Sequence, residues 1–281
     1  MAHQLSISEQ LAHSTVRIET TTAKGEGSGT GFFYQFAEKG DRFIPVIITN
    51  KHVIEGATSG RFVLTEKNDK GEPIYGKYHA FLFENFQNQW VPHPNPDIDL
   101  CAMPIAPILQ QAQQKNQDFF YVSINSSLLL TQEELDDLTL MEDIVMVGYP
   151  NGIWDQKNNM PVFRKGITAT HPNLDWNGKP EFLIDAACFP GSSGSPVFLF
   201  NQGGYSTKSG GMTIGPSRIK LLGALYAGPQ HTVSGEIKVI QVPTQNVPIP
   251  VSSIPNNLGM VIKAFQLDAF EEYFGKISDE T

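Results

Sequence analysis

The stretch FPGSSGSPVF fills residues 189–198 of this 281-residue chain, and the interpretation of the whole sequence starts from it. Three serines and two glycines lie between two prolines. These residue types favour a turn, because glycine tolerates positive φ and proline fixes φ. They also suit a nucleophilic serine, which needs a general base and an orienting group elsewhere in the chain. The rest of the sequence has to decide between a turn and a nucleophile.

The composition favours a globular, mostly β protein. Hydrophobic residues make up 40% of the chain, and 25 glycines and 19 prolines accompany short β-branched and aromatic runs. The formal charge is −9, and no Lys/Arg-rich run offers a surface for phosphate groups. We therefore expect no nucleic-acid partner.

The cysteines and histidines show no spacing typical of a metal site. Cys101 and Cys188 lie in apolar surroundings without a CxxC motif, which predicts buried free thiols instead of a disulfide. The seven histidines are not paired in the way zinc ligands are. We expect neither a metal nor a cofactor.

The amino terminus and the hydropathy pattern bear on location. MAHQLSISEQLAHSTV has no apolar segment like that of a signal peptide, and no run of about 18 apolar residues follows. The expectation is a cytoplasmic protein without membrane association.

Short strands separated by turn signals run along the chain and predict a sandwich or barrels. The candidates are STVRIET, GFFYQF, RFIPVIITN, GRFVLTE, YHAFLFEN, IDLCAMPI, DIVMVGYP, VFRKGITAT, EFLIDAACF, SPVFLF, KLLGALYAG, IKVIQV and LGMVIKA.

Helix signals are few. A short helix is expected at residues 6–12, and a second at TQEELDD, where Thr131 and Glu134 form a capping-box pattern. Near the end, an amphipathic helix is predicted from the helical spacing of Phe265, Ala269, Phe270 and Tyr273. Residues 201–217 and 242–257 are rich in Gly, Ser, Asn and Pro and are expected to be loops.

A base and a carboxylate can be found for the serine. His52 directly follows an apolar strand, a rigid support for a side chain at a cleft, whereas His93 lies among prolines in an expected exposed loop. Asp97 and Asp99 point to the same side of an extended segment, so alternation does not separate them. Asp99 adjoins the apolar strand LCAMPI and is the better acceptor for an imidazole N–H, while Asp97 suits a turn.

With these partners, the opening stretch takes a catalytic form. Ser193 is the central serine, and the amides of Gly191 and Ser193 could both face one point. Two preorganised donors of this kind form an oxyanion hole, which receives the negative charge that develops during acyl transfer.

Three blocks carry a family resemblance. TNKHVIEGA, DIDLCAM and DAACFPGSSGSP resemble the His, Asp and Ser blocks of trypsin-like serine proteases with the chymotrypsin fold, and most closely the Deg/HtrA branch. The order agrees, and so do the separations of 47 residues from His52 to Asp99 and 94 from Asp99 to Ser193. GEGSGTGFF, VMVGYPNG, LLGALYAG and LGMVIKA resemble further family segments. The similarity extends over about residues 14–265.

The resemblance implies a single all-β protease domain spanning residues 1–281. It predicts two packed antiparallel six-stranded β-barrels, at 14–110 and 120–262, with a C-terminal helix at 263–276. It implies a serine endopeptidase with His52, Asp99 and Ser193 as the triad, Gly191 and Ser193 as the oxyanion hole, and a protein or peptide as the substrate.

Two positions depart from the family pattern. Ser195 stands where the family has glycine, so three hydroxyls crowd one loop. Ser192 stands where digestive relatives have an aspartate that pairs with a new amino terminus, so activation by cleavage is not expected. Regulation by loop ordering is expected instead, in residues 152–166 or after Asn201. We expect no PDZ module after the protease domain, so the trimeric assembly of the branch is not carried over, and a larger partner or a homo-oligomer stays open.

The primary pocket can be assigned by the same resemblance. Ala187, six residues before the nucleophile, would form its floor, and Tyr226, Ala227 and Gly228 one wall, with residues 259–261 opposite. No carboxylate at the floor would pair with Lys or Arg, so a small or medium apolar residue is expected before the scissile bond. Asp185 is assigned a supporting role.

Two alternatives to a serine endopeptidase are considered. One is a catalytically silent fold that binds peptides or assembles with partners, and the other is a serine esterase.

Overall fold

The computed structural model describes residues 5–215, 217–228, 230–234, 251–255 and 257–279. Within these ranges the strands are β1 (Thr15–Thr22), β2 (Gly25–Lys39), β3 (Arg42–Thr49), β4 (Ala57–Lys67), β5 (Pro73–Glu84), β6 (Val91–Pro92), β7 (Cys101–Pro104), β8 (Phe119–Phe120), β9 (Asp143–Gly148), β10 (Val162–Thr168), β11 (Glu181–Asp185), β12 (Pro196–Asn201), β13 (Gly204–Ser206), β14 (Met212–Ile214), β15 (Arg218–Ala227), β16 (Gln230–Ser234), β17 (Val251–Pro255) and β18 (Leu258–Lys263). The α-helices are α1 (Ile7–Ala12), α2 (Lys51–Ile54), α3 (Ala106–Gln113), α4 (Gln132–Asp136) and α5 (Asp268–Asp279). Short 3-10 helices lie at Phe86–Gln89, Ser126–Leu128, Pro150–Gly152 and Ala264–Leu267.

Two large antiparallel β structures make up most of the part of the chain that the structure describes, as the all-β prediction requires. The C-terminal one is a closed barrel of six strands in the order β10-β11-β18-β15-β12-β9, which confirms the predicted six-stranded barrel. The N-terminal one is a sheet of eight strands in the order β5-β4-β1-β2-β3-β7-β6, with β8 beside β4. The two extra strands, β6 and β8, are two residues each, too short to give a strand pattern in the sequence.

A shared apolar core joins the two structures. It contains Phe32 and Ile48 from the N-terminal sheet together with Val145, Phe198 and Ile262 from the barrel. Each β structure also has its own core on the opposite side of its strands. Because Ile48 nearly ends β3 and Phe198 lies early in β12, the shared core fixes the chain just before His52 and just after Ser193.

The helices follow the predictions with one difference and two additions, the short helix α2 and the helix α3. Ser6 and Thr131 form capping boxes at the starts of α1 and α4. In α5, Phe270 and Phe274 are the buried residues and contact Phe36 of the N-terminal sheet. The predicted face was wrong at Phe265 and Tyr273, which are exposed. The missed helix α3 is rich in glutamine and has a proline in its first turn, which suits a helix start.

Both segments expected to be loops contain strands. β13 and β14 form a small hairpin within residues 201–217, and β17 pairs with β16. The glycines of the first segment serve the turns of this hairpin, so a loop-like composition concealed two three-residue strands. The predicted strand IKVIQV lies outside the described residues.

His13 gives the fold a predictable acid sensitivity. Burial lowers the pKa of His13 to about 4, although nearby Glu9 acts to raise it. The folded state therefore binds this proton less tightly than the unfolded chain, and stability is lost as the pH falls from about 6.5 towards 4. We expect urea unfolding at pH 7 and pH 4.5 to show a loss for the wild type of up to about 3 kcal/mol more than for His13→Gln. Equal losses in both proteins would remove His13 as the cause.

Candidate active site

His52 and Asp99 are joined by two hydrogen bonds. The His52 backbone N–H donates to Asp99 Oδ1 over 3.1 Å, and His52 Nδ1 lies 2.5 Å from Asp99 Oδ2. A carboxylate only accepts, so Nδ1 carries the proton and Nε2 of the neutral ring is left with the lone pair. The His52 side chain is 43% exposed, which leaves that nitrogen open to the cleft.

The segments that carry this pair are tied together. Asn50, at the end of β3, donates from Nδ2 to the backbone carbonyl of Asp99 over 2.7 Å, and Lys51 donates to the Asn95 carbonyl over 3.1 Å. The turn of helix α2 and the 95–99 loop therefore keep a fixed spacing. Asn50 is fully buried, so its hydrogen bond is shielded from water.

The two alternatives weighed in the sequence lie elsewhere. Asp97 is exposed, and its backbone N–H donates to Asn95 Oδ1 over 2.9 Å, as in a turn. His93 is buried against Phe270 of α5, with Nε2 3.0 Å from the Gln266 carbonyl. Burial lowers the pKa of His93. The structure brings neither residue to the His52–Asp99 pair.

The loop between β11 and β12, which carries the predicted nucleophile Ser193 and is called the nucleophile loop below, needs both of its glycines. Gly191 and Gly194 have φ of 88° and 84°, in the region where side chains are strained. A Cβ at Gly194 would lie 1.9 Å from the Thr30 carbonyl oxygen, and one at Gly191 would lie 2.6 Å from the Tyr149 carbonyl oxygen. The glycines thus let this loop approach the N-terminal sheet and the end of β9.

The three serines of the loop differ in accessibility. Ser192 is 1% exposed and Ser195 0%, and neither hydroxyl has a hydrogen-bond partner among the described residues. Ser195 faces Gly148, where an added Cβ would lie 2.1 Å from its Oγ. Ser193 is only half-buried. Of the three hydroxyls, only that of Ser193 can be reached by a substrate.

Hydrogen bonds fix the backbone of the loop at its carbonyls and at some of its N–H groups. The carbonyls of Pro190, Gly191, Ser192 and Ser193 each accept a hydrogen bond. The amides of Ser192 and Gly194 donate, to Phe189 over 2.9 Å and to Leu225 over 2.7 Å. Within the described chain, the intervening amides of Gly191 and Ser193 have no acceptor. These two unengaged donors are the pair that the sequence predicts for an oxyanion hole.

A short chain of hydrogen bonds links Ser193 to the His52 segment. Thr30 N–H donates to the Ser193 carbonyl over 2.8 Å, and the Thr49 hydroxyl donates to the Thr30 carbonyl over 2.7 Å. Thr49 is three residues before His52. For the described side chains, no hydrogen bond joins the Ser193 hydroxyl to the His52 ring, as is common before a substrate tightens the site.

Three of the four predicted pocket residues, Tyr226, Ala227 and Gly228, lie at or just after the end of β15. Ala187 is half-buried and follows β11. Tyr226 donates its hydroxyl to the buried Glu181 carboxylate, and burial raises the pKa of this tyrosine. Gly228 is exposed. For Ala227, the last residue of β15, the structure describes the backbone only.

Cys188 lies close to residues predicted for the primary pocket, a position that the sequence analysis did not assign to it. Its Sγ lies 2.6 Å from the position of a Cβ on Gly259, and its Cβ lies 3.6 Å from one on Gly228. Cys188 is a buried free thiol, as predicted, and burial raises its pKa to about 11. Its place beside Ala187, the expected pocket floor, was the available signal.

Comparison with known families identifies the chain. The model of the trypsin-like peptidase domain matches residues 29–204, more than half of the chain, which include His52, Asp99 and Ser193. The chain belongs to this family, which confirms the resemblance, and it is accordingly a serine endopeptidase.

Solved protease structures show modest similarity to the whole chain. Rv3671c of M. tuberculosis H37Rv, an inactive mutant form, is 15% identical, with 96% of this chain and 90% of that chain covered and a TM-score of 0.43. The HtrA-type protease AlgW with a tripeptide is 15% identical, with coverages of 96% and 62% and a TM-score of 0.49. A serine endoprotease from Yersinia pestis is 13% identical, with coverages of 98% and 69% and a TM-score of 0.48. No curated protein sequence matches significantly.

The described helices were also considered as membrane spans. None of them has both the length and the apolar character needed to cross a bilayer.

Proposed function

We propose that this chain cleaves peptide bonds through an acyl-enzyme formed on Ser193. The observation that carries the proposal is the His52–Asp99 pair, linked through the hydrogen bonds of Thr49 and Thr30 to a loop in which Ser193 is the one serine of three that is not buried. In this mechanism Ser193 Oγ attacks the peptide carbonyl carbon while His52 Nε2 takes its proton. Asp99 holds the tautomer of the ring and stabilises the imidazolium that forms.

The remaining steps use the same groups. The amides of Gly191 and Ser193 donate to the carbonyl oxygen as it becomes negative, since both lack an acceptor in the described chain. His52 returns its proton to the leaving amine, and the C–N bond breaks. Water, deprotonated by His52, then attacks the acyl group, and the Ser193 hydroxyl is restored.

The proposed substrate is an extended segment of protein or peptide. Cleavage of nitrophenyl esters does not distinguish a protease from an esterase, because the activated serine of either enzyme cleaves them. Cleavage of peptide bonds does distinguish the two. The direct test is mass-spectrometric mapping of new termini in a denatured proteome digested with the wild type and with Ser193→Ala. We expect new peptide termini with the wild type only. Ester cleavage without any new termini would instead favour the esterase.

The same digest tests the residue before the scissile bond. The side chain there is proposed to contact Ala187, Cys188 and Gly228, which are all uncharged. A Lys or Arg would be desolvated without a counter-charge, so small and medium apolar residues should dominate at this position. In Ala187→Asp we expect cleavage after Lys or Arg to rise by about tenfold relative to the wild type. Dominant Lys/Arg cleavage by the wild type would contradict the pocket assignment.

A further inference from the structure

Thr30, in the middle of β2, is a polar residue with no exposed surface. Thr30 forms hydrogen bonds to the C-terminal β structure through its hydroxyl and its backbone. The hydroxyl donates to the Gly191 carbonyl over 2.9 Å and accepts from the Tyr149 amide over 3.1 Å. Its amide donates to the Ser193 carbonyl over 2.8 Å. A buried threonine with such a complete set of partners holds three separate chain segments at one point.

The groups that Thr30 holds determine where the oxyanion donors point. A peptide group is planar and trans, so its C=O and N–H point in opposite directions. Thr30 holds the C=O of the peptide after Gly191 and of the peptide after Ser193, whose N–H groups are those of Ser192 and Gly194. With these two peptide planes fixed at both ends, the Ser192–Ser193 plane between them, which carries the unengaged Ser193 amide, is fixed too. The unengaged Gly191 amide belongs to the Pro190–Gly191 plane, which adjoins the first held plane and whose carbonyl accepts from the Asn151 amide over 2.5 Å.

Thr30 also links the loop to the segment that carries the general base. Its carbonyl accepts from the Thr49 hydroxyl over 2.7 Å and lies where any side chain on Gly194 would clash. Thr49 ends β3, directly before Asn50 and the turn that carries His52. The buried residue Thr30 thus connects the nucleophile loop of the barrel with the segment of the N-terminal sheet that leads to the general base, His52.

We propose that Thr30 is a positioning residue for hydrolysis, whose buried hydroxyl orients the Gly191 and Ser193 amides for the developing oxyanion. This inference rests on the proposed function of Ser193. Thr30 touches no reacting atom, so its removal should weaken transition-state binding and leave ground-state binding of the peptide unchanged.

The test compares Thr30→Val, which has the same shape without the hydroxyl, with Thr30→Ser, which keeps the hydroxyl. Enzyme concentrations are set by active-site titration, and peptide hydrolysis is measured. We expect Thr30→Val to lower kcat by about tenfold or more with KM within about twofold, and Thr30→Ser to remain within about threefold of the wild type. Thr49→Val, one contact further away, should show a smaller loss of the same type. It provides the test if Thr30→Val does not fold.

Two inhibitors of one peptide sequence distinguish positioning from general damage. A peptide trifluoromethyl ketone adds Ser193 Oγ to its carbonyl and forms a hemiketal oxyanion as His52 takes the proton, whereas the corresponding peptide amide binds only as a ground state. In Thr30→Val the inhibition constant of the ketone should rise by the same factor as kcat falls, while that of the amide stays unchanged. Unchanged kcat and ketone affinity, or an equal loss for both inhibitors, would overturn the inference.

Hydrogen exchange gives a readout that does not depend on activity. The Ser192 and Gly194 amides should exchange at least about tenfold faster in Thr30→Val, with β9 unchanged as the internal control. If the wild type cleaves no peptide and this exchange still accelerates, the proposed function fails while the positioning by Thr30 stands. If exchange in the loop does not change, the positioning role is wrong whatever the activity.

Discussion

Replacement of Ser193 by alanine is expected to lower kcat/KM for a peptide substrate by at least about 10⁴-fold, because the variant has no oxygen to form the acyl-enzyme. The matched control is Ser195→Ala in the same loop. The Ser195 hydroxyl is fully buried against Gly148 and has no partner among the described residues. Its removal leaves no new unsatisfied group, so activity should stay within about threefold of the wild type.

Both variants should be compared at equal folded concentration, established by near-UV circular dichroism and a urea unfolding curve. Loss of activity in Ser195→Ala with retention in Ser193→Ala would reverse the assignment of the nucleophile. Loss of activity in both variants would indicate that the substitutions disturb the geometry of the loop, and would not identify one hydroxyl as the nucleophile.

The second large effect is expected for Asp99→Asn. An asparagine amide would donate to His52 Nδ1 where the carboxylate accepts, and the ring proton would move to Nε2, the nitrogen that must accept from Ser193. The shape of the site is kept, and the Asn Oδ1 can still accept from the His52 backbone. We expect kcat to fall by about 10³- to 10⁴-fold, as established for the corresponding change in the trypsin-like triad, with a small change in KM.

Asp97→Asn is the control for this substitution, because it makes the same chemical change two residues away on an exposed turn. We expect its kcat to lie within about twofold of the wild type. A large loss in Asp97→Asn together with an active Asp99→Asn would show that the wrong carboxylate had been assigned.

The sequence predicted the parts of the fold and site that depend on local patterns. The apolar strands before His52 and after Asp99, and the glycines around Ser193, have periodicity and residue types that can be recognised without a structure. The closed barrel formed by β9, β10, β11, β12, β15 and β18 follows the same patterning. The capping box of α4 lay at the predicted Thr131, because a cap depends only on residues three apart, whereas the capping box that Ser6 forms with Glu9 at the start of α1 was not predicted.

The features that escaped prediction depend on contacts between distant segments. Thr30 lies in GEGSGTGFF, for which the sequence analysis gives only a family resemblance, because nothing local shows that its hydroxyl contacts Gly191, 161 positions away. The difference between Ser193 and Ser195 is one of burial, which the packing of Gly148 decides. The prediction that Phe265 and Tyr273 lie on the buried face of the C-terminal helix was wrong, because α5 begins only at Asp268. The 3-10 turn before it changes the angular spacing of the side chains.

The central claim, that Ser193 is an activated nucleophile, is tested most directly by locating the adduct of a fluorophosphonate probe. The native protein is labelled, digested and sequenced by tandem mass spectrometry, with a heat-denatured sample in parallel. The account predicts one phosphonate on Ser193, formed only in the native protein and lost in Asp99→Asn. An adduct on Ser192 or Ser195, or no difference between native and denatured protein, would contradict it.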